Sequence, residues 1–276
     1  LETNKNIISL RSGTLDFKNP KLMGILNLSQ DSFFEGSRVS PEHIIDRAEQ
    51  MIQDGADILD LGAQSTRPGS TALGPEEEIT RLRGVVRLLK DTFPTTPISI
   101  DTYHGAVAAL MLDEGADIIN DVSGGVADPS MLSIVAKAGI PYILMHSPGK
   151  PGALTERTKP ASPEVVIAEW LLTAEKAKSA GIEHLIFDPG FGFGKSTEEN
   201  YEILKRFGIF KQLKAPLLAG ISRKRFLRIP LTIDTDAALN ATTALHMALL
   251  LNGANILRVH DVKEAKQCIT LFELIQ

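Results

Sequence analysis

Eight apolar runs in this chain break off on a polar or charged residue, and those residues are the ones equipped for chemistry. In chain order they are Asn27, Asp60, Asp101, Asn120 with Asp121, His146, Asp188, the triplet Ser222-Arg223-Lys224, and Arg258 with His260. Asp101, Asn120 and Asp188 form one chemical class. Carboxylates and an amide in this pattern could bind a metal, act as acid and base, or accept hydrogen bonds from the ring N–H and amino groups of a heterocycle with a guanine-like edge. Asp188 is the main candidate for the last role. Arg67, Lys224, Arg258 and His260 form a second class, in which cations converging from three loops suit an anion such as phosphate. Arg would engage its oxygens as a fork and Lys as a point charge. The six histidines lack the HxH or HExxH spacing of a metal cage.

Several of these residues have plainer explanations. Asp60 and Asp121 read at least as well as groups that end a strand and cap the next turn. Arg225 and Arg228 read as a solvated basic face. The segment Asp188-Pro189-Gly190-Phe191-Gly192-Phe193-Gly194-Lys195-Ser196 looks like a phosphate loop but misses the spacing of both the P-loop and GxGxxG. It reads instead as a glycine-flexed loop passing a flat ring, with Phe191 or Phe193 packed on a substrate. No activated Ser, Cys or Schiff-base Lys is apparent as a nucleophile.

The elements that position these groups follow a repeated cadence. In five places a small residue and glycine lead into a four- or five-residue apolar run, as in Asp54-Gly55-Ala56-Asp57-Ile58-Leu59-Asp60. Glycine suits a left-handed helix cap, and an apolar run without alternation suits a strand covered on both faces. Three further runs, at 22–26, 97–100 and 216–220, bring the strands to eight. Helical periodicity fills the intervals at 41–54, 75–91, 104–114, 129–138, 162–180, 197–213, 235–252 and 261–275. Ser40-Pro41 and Ser162-Pro163 supply N-cap signals. Eight alternating units predict an α/β chain folded as a (β/α)8 TIM barrel, with its active site at the C-terminal ends of the strands. Residues 7–17 read as a short N-terminal β-hairpin covering the barrel's bottom, within an extension spanning 1–19. The long loops 27–40 and 62–74 read as mobile lids.

Composition points to one domain over residues 1–276, since 43% of the chain is apolar and no linker divides it. A net charge of −5 argues against a nucleic-acid partner. No run reaches membrane-spanning length. A single cysteine, Cys268, fits a reducing, cytoplasmic setting.

From about residue 20 onward the chain resembles the dihydropteroate synthase family. The resemblance is carried by Met23 to Asn27 with Asp31-Ser32-Phe33, Ser65-Thr66-Arg67-Pro68-Gly69, Ser99-Ile100-Asp101-Thr102, Ile119-Asn120-Asp121, Asp188 to Lys195, Ser222-Arg223-Lys224 and Arg258-Val259-His260-Asp261. It implies condensation of 6-hydroxymethyl-7,8-dihydropterin pyrophosphate with p-aminobenzoate to give 7,8-dihydropteroate and pyrophosphate, by a Mg2+-dependent homodimer that is a sulfonamide target. By the same resemblance Asp101, Asn120, Asp188 and Lys224 hold the pterin, with Met145 packed on its ring. Asn27, Arg258 and His260 bind the pyrophosphate, Asn27 also helping to place Mg2+. Phe33, Thr66, Arg67, Pro68, Phe193 and Ser222 shape the p-aminobenzoate site. Asn27, Arg67, Lys224, Arg258 and His260 are the catalytic group. Ser29-Gln30, Gln64 and Arg225 depart from the family's usual wording. The nearest rival is a pterin-binding methyltransferase of the same barrel type, passing a methyl group from methyltetrahydrofolate to a corrinoid. It would share Asp101, Asn120 and Asp188 but needs neither Lys224 nor the Arg258/His260 anion site.

Overall fold

The computed structural model describes residues 7–28, 34–35, 38–64, 73–149 and 160–276. A hairpin of β1 (Ile7–Leu10) and β2 (Gly13–Asp16) opens the fold. The barrel strands are β3 (Lys21–Asn27), β6 (Ile58–Gly62), β7 (Ile98–Asp101), β8 (Ile118–Asp121), β9 (Tyr142–Met145), β10 (Leu185–Asp188), β11 (Leu218–Ala219) and β12 (Ile256–Val259). Short strands β4 (Phe34–Glu35) and β5 (Arg38–Val39) pair in the loop after β3. The eight barrel strands run parallel in the order β10-β9-β8-β7-β6-β3-β12-β11, and a parallel bridge from Phe187 to Leu217 joins the two ends. This is the expected TIM barrel.

Alternation along each strand separates two cores, because residues two apart share a face. Leu22, Leu59, Ile119, Leu144, Phe187, Ala219 and Leu257 point outward into the layer beneath the helices. Met23, Ile58, Ile118, Ile143, Ile186, Leu218 and Ile256 point inward and pack on one another. Ile8, Leu15 and Phe17 join that inner cluster, so the hairpin does cover the bottom. Its turn is tied down where Arg11 Nη1 donates to the Leu112 carbonyl at 2.5 Å and the Ser12 N–H donates to Asp117 Oδ1 at 2.9 Å.

The outer layer holds α1 (Pro41–Gln53), α2 (Pro75–Leu82), α3 (Val85–Thr92), α4 (Gly105–Asp113), α5 (Met131–Ala138), α6 (Pro163–Ser179), α7 (Thr197–Lys205), α8 (Arg225–Arg228), α9 (Leu239–Leu251) and α10 (Val262–Leu274). The expected helix over 75–91 is two, because Arg83 leaves helical geometry and Gly84 turns left-handed at φ 77°. The expected 197–213 helix ends at Lys205 and continues as a 3-10 segment, Phe207–Leu213. Ser162 caps α6 by accepting from the Val165 N–H at 3.4 Å, whereas Ser40 makes no such bond. The run at 216–220 is a strand only over Leu218–Ala219, consistent with Pro216 having no N–H to donate. Cys268 is buried and free. Among the described residues no helix is long and apolar enough to cross a membrane.

Candidate active site

One pleat above the apolar floor the inward positions turn polar. Two residues on from Ile58, Ile118, Ile143, Ile186, Leu218 and Ile256 come Asp60, Asn120, Met145, Asp188, Gly220 and Arg258. Asp101 sits beside Asn120 across the β7–β8 ladder, and Met145 beside Asp188 across β9–β10. Asp60 therefore lies within its strand rather than at its end.

The Arg258 guanidinium crosses this layer. Its Nε donates to Asp60 Oδ2 at 2.6 Å and its Nη2 to Asp101 Oδ2 at 2.5 Å. Asn120 Nδ2 donates to the same Asp60 oxygen, Oδ2, at 3.2 Å. Burial works against the Arg258 charge, and the combined pull of Asp60, Asp101 and Asp188 more than offsets it, so its pKa stands above the usual value. Asp101 is shifted upward, mainly by burial. Arg258 opposes that shift, and repulsion from Asp60, Glu78 and Asp121 adds to it. Arg258 thus sits among the carboxylates of the layer above the floor.

Asp188 is buried, and its Oδ1 accepts the Gly190 N–H at 2.8 Å. Burial raises its pKa, while Lys224, the Gly190 N–H and more distant cations hold it back. Lys224 comes from the loop after β11. Its Nζ donates to the Phe191 carbonyl and stands 4.6 Å from the centre of the Phe193 ring. Burial lowers its pKa to about 8, with Arg258 pushing the same way and Asp188 and Asp101 opposing.

The two aromatic candidates part company here. Phe191 is fully buried and stacks with Phe207 and Phe226, so it belongs to the core. Phe193 joins Val122 and Met145 in a small apolar cluster with Tyr103 packed against it. The glycine loop that carries them is built for close approach. Gly190 has φ 63°, and a Cβ there would lie 2.1 Å from the His146 carbonyl oxygen. Lys195 fastens the loop by donating to the carbonyls of His146, Gly190 and Phe193 at 3.0, 3.0 and 3.2 Å.

At the rim, Ser222 Oγ accepts the His260 N–H at 3.3 Å and lies 3.0 Å from its Nδ1. The pKa of His260 is pushed down by desolvation and by the charges of Arg258, Arg223 and Lys224, against the pull of Asp261. Asn27 closes β3 beside Gly62, and its buried Oδ1 has no hydrogen-bond partner among the described residues. Phe33, Thr66, Arg67 and Pro68 lie outside the described residues.

Other candidates are structural. Asp121 accepts from the Ser123 and Gly125 N–H groups at 2.7 and 3.0 Å and from the Tyr142 hydroxyl at 2.6 Å, a turn-holding carboxylate. His146 Nε2 sits 3.1 Å from Glu169 Oε2. Arg225 is exposed as expected, whereas Arg228 is half-buried, with its Nε out of solvent. Gln64 donates to Glu78 at 2.9 Å and accepts from the Tyr103 hydroxyl at 3.0 Å. Asp60 was the misleading residue. Reading it as a strand-ending cap overlooked its place two residues beyond Ile58, on the same inward face, and that count of two was the available signal.

A sequence model of the pterin binding enzyme family matches residues 23–260. The dihydropteroate synthase of Escherichia coli is 36% identical over 264 residues, covering 94% of this chain and 93% of that protein. The chain belongs to the dihydropteroate synthase family of pterin-binding enzymes. Among solved dihydropteroate synthases, that of Xanthomonas albilineans with 4-aminobenzoic acid superimposes with a TM-score of 0.90 at 33% identity, covering 99% of each chain. That of Thermus thermophilus in complex with 6HMPPP gives 0.84 at 33% identity, covering 98% of this chain and 100% of the other. Some relatives of this synthase-family chain are longer. It spans 36% of the folic acid synthesis protein of Schizosaccharomyces pombe, at 39% identity, and 50% of the bifunctional folate synthesis protein of Arabidopsis thaliana, at 38%.

Proposed function

We propose that the protein is a dihydropteroate synthase, joining 6-hydroxymethyl-7,8-dihydropterin pyrophosphate to p-aminobenzoate with release of pyrophosphate. The observation that carries this reading is the layer in which Asp101, Asn120 and Asp188 surround Arg258 over a closed apolar floor, with Lys224 and His260 above. Acceptors of this kind suit the donor-rich edge of a pterin, and the cations suit a diphosphate carried on its methylene. The corrinoid methyltransferase reading leaves Lys224, Arg258 and His260 without a task.

In this reading Asp101, Asn120 and Asp188 bind the pterin, Met145 packs on its face, and Lys224 reaches it from the rim. Asn27, Arg258 and His260 hold the diphosphate. Phe193 and Ser222, with Phe33, Thr66, Arg67 and Pro68, shape the p-aminobenzoate site. Asn27 suits Mg2+, because its buried Oδ1 lacks a partner among the described residues and this ion commonly takes one or two protein ligands with phosphate oxygens. The described residues contain no group of three or more His, Cys, Asp or Glu side chains able to cage a metal. When bound, the ion would neutralise charge on the departing diphosphate. Arg258 and His260 add to that neutralisation, and the floor orients the pterin methylene toward the incoming amine. A cytoplasmic homodimer accompanies the reading.

The deciding experiment measures pyrophosphate release and dihydropteroate formation with and without p-aminobenzoate and Mg2+. Formation only with both substrates is expected. No dihydropteroate under any condition would overturn the proposal.

A further inference from the structure

Among the described residues, Asp60 is the one fully buried carboxylate that accepts from both Asn120 and Arg258. It is 0% exposed, sits midway along β6 between Ile25 of β3 and Ser99 of β7, and accepts both from Asn120 and from Arg258. A carboxylate can only accept, so the Asn120 amide must present its NH2 to Asp60, which leaves Oδ1 to face the pocket as an acceptor. The guanidinium is held differently. Asp60 takes Nε, the donor nearest the stem, while Asp101 takes the terminal Nη2. The terminal bond uses a carboxylate that a heterocycle in the pocket would also need.

We propose that Asp60 is a positioning residue that couples heterocycle binding to anion binding through Arg258, an inference that rests on the synthase reading above. A heterocycle claiming the Asp101 carboxylate releases Nη2. Asp60 keeps its hold on Nε, so the fork turns about a fixed point and its terminal N–H groups become available to a diphosphate. An anion arriving first must itself separate Arg258 from Asp101. With the heterocycle already seated, that separation has been made. The two ligands therefore strengthen each other's binding, and linkage requires the factor to be the same in both directions.

The test is calorimetric titration of inorganic pyrophosphate, in Mg2+, into the full chain with and without saturating 6-hydroxymethylpterin, which carries no phosphate. The heterocycle should tighten pyrophosphate binding to the wild type about tenfold, within the usual range for coupled sites. Asp60→Asn, which offers an NH2 where both neighbours donate, should reduce that factor to below about twofold while the pterin still binds. Asp101→Asn supplies a measurement of opposite sign. It weakens the competing hold on Nη2, so pyrophosphate alone should bind this variant more tightly than it binds the wild type. General damage to the fold would not produce such a gain. If Asp60→Asn fails to fold, Asp60→Glu decides the role of Asp60, since it keeps the charge but shifts the hold on Nε and should also reduce the coupling factor. Equal pyrophosphate affinity of the wild type with and without bound pterin would overturn the coupling and leave the synthase reading intact. Undiminished coupling in Asp60→Asn would overturn the role of Asp60. Absence of pterin binding to the wild type would overturn both this inference and the reading beneath it.

Discussion

Arg223 and Asp261 meet as a two-pronged pair, with Nε 2.8 Å from Oδ2 and Nη2 2.7 Å from Oδ1. The bond ties the loop after β11 to the end of β12, and so fixes Lys224 and Ser222 relative to Arg258 and His260. Arg223 also stands at φ 56°, a left-handed conformation that disfavours any side chain. Arg223→Ala should lose the pair and keep the backbone strain, costing about 2 kcal/mol after allowance for partial exposure. Arg223→Gly loses the pair and relieves the strain, so urea unfolding should find it about 1 kcal/mol more stable than the alanine variant. Equal stabilities would mean that the loop carries no strain there.

Asp188 holds the loop through Gly190 with one oxygen and leaves the other near Gly220, where an added Cβ would lie 4.0 Å from it. Asp188→Ala should lower pterin affinity by about 10- to 100-fold, the loss expected for a charged acceptor removed from a buried site. Calorimetry measures this directly, and unchanged affinity would remove Asp188 from the pterin site.

His260 provides a pH signature. Its pKa in the free protein lies below its ordinary 6.5, so the ring is neutral at pH 7. A bound diphosphate brings negative charge and raises that pKa. Between the two values the complex holds a proton that the free protein does not, so affinity should strengthen as pH falls through that window. Titrations in buffers of different ionisation heat should show proton uptake near pH 6, and His260→Gln should lose it.

Two glycines of the pocket should respond differently to alanine. At Gly190 the new Cβ would collide with the His146 carbonyl and the backbone is left-handed, so Gly190→Ala should cost more than about 2 kcal/mol in urea. At Gly220 the nearest atoms would be Arg258 Cβ at 3.8 Å and Arg258 Cδ at 3.9 Å, an ordinary contact. Gly220→Ala should fold with a loss of about 1 kcal/mol or less and weaken pterin binding by narrowing the floor. The reverse ranking would contradict the geometry.

The barrel was legible because strands covered on both faces write themselves as unbroken apolar runs, and because a glycine marks the end of the helix before five of them. Depth was harder to read. Asp60 and Asp121 both come at the end of an apolar run, Asp121 one residue behind Asn120, and have the same chemistry. One faces Arg258 across the interior and the other holds a turn, a difference set by strand register. Phe191 and Phe193 are likewise alike in sequence, and the left-handed turn at Gly192 between them, φ 80°, lets one enter the core and the other the pocket. Arg258 was readable as a cation of the site, but its lodging between Asp60 and Asp101 depends on strands nearly two hundred positions apart. The split at Gly84 was concealed because a lone glycine only weakens a helical pattern.

The hairpin packed under Met23, Ile58 and their neighbours closes the lower end of the barrel, so that among the described residues the way in lies at the other end. Anything that reaches the floor leaves by the way it came. In the proposed reading, a pterin seated on Asp188 and Arg258 would be trapped for as long as a p-aminobenzoate stood above it near Phe193 and Ser222. Traffic is last in, first out, so an occupant of the upper site prolongs the stay of whatever lies beneath, and a blocker lodged at the rim imprisons its neighbour as well as excluding its rival.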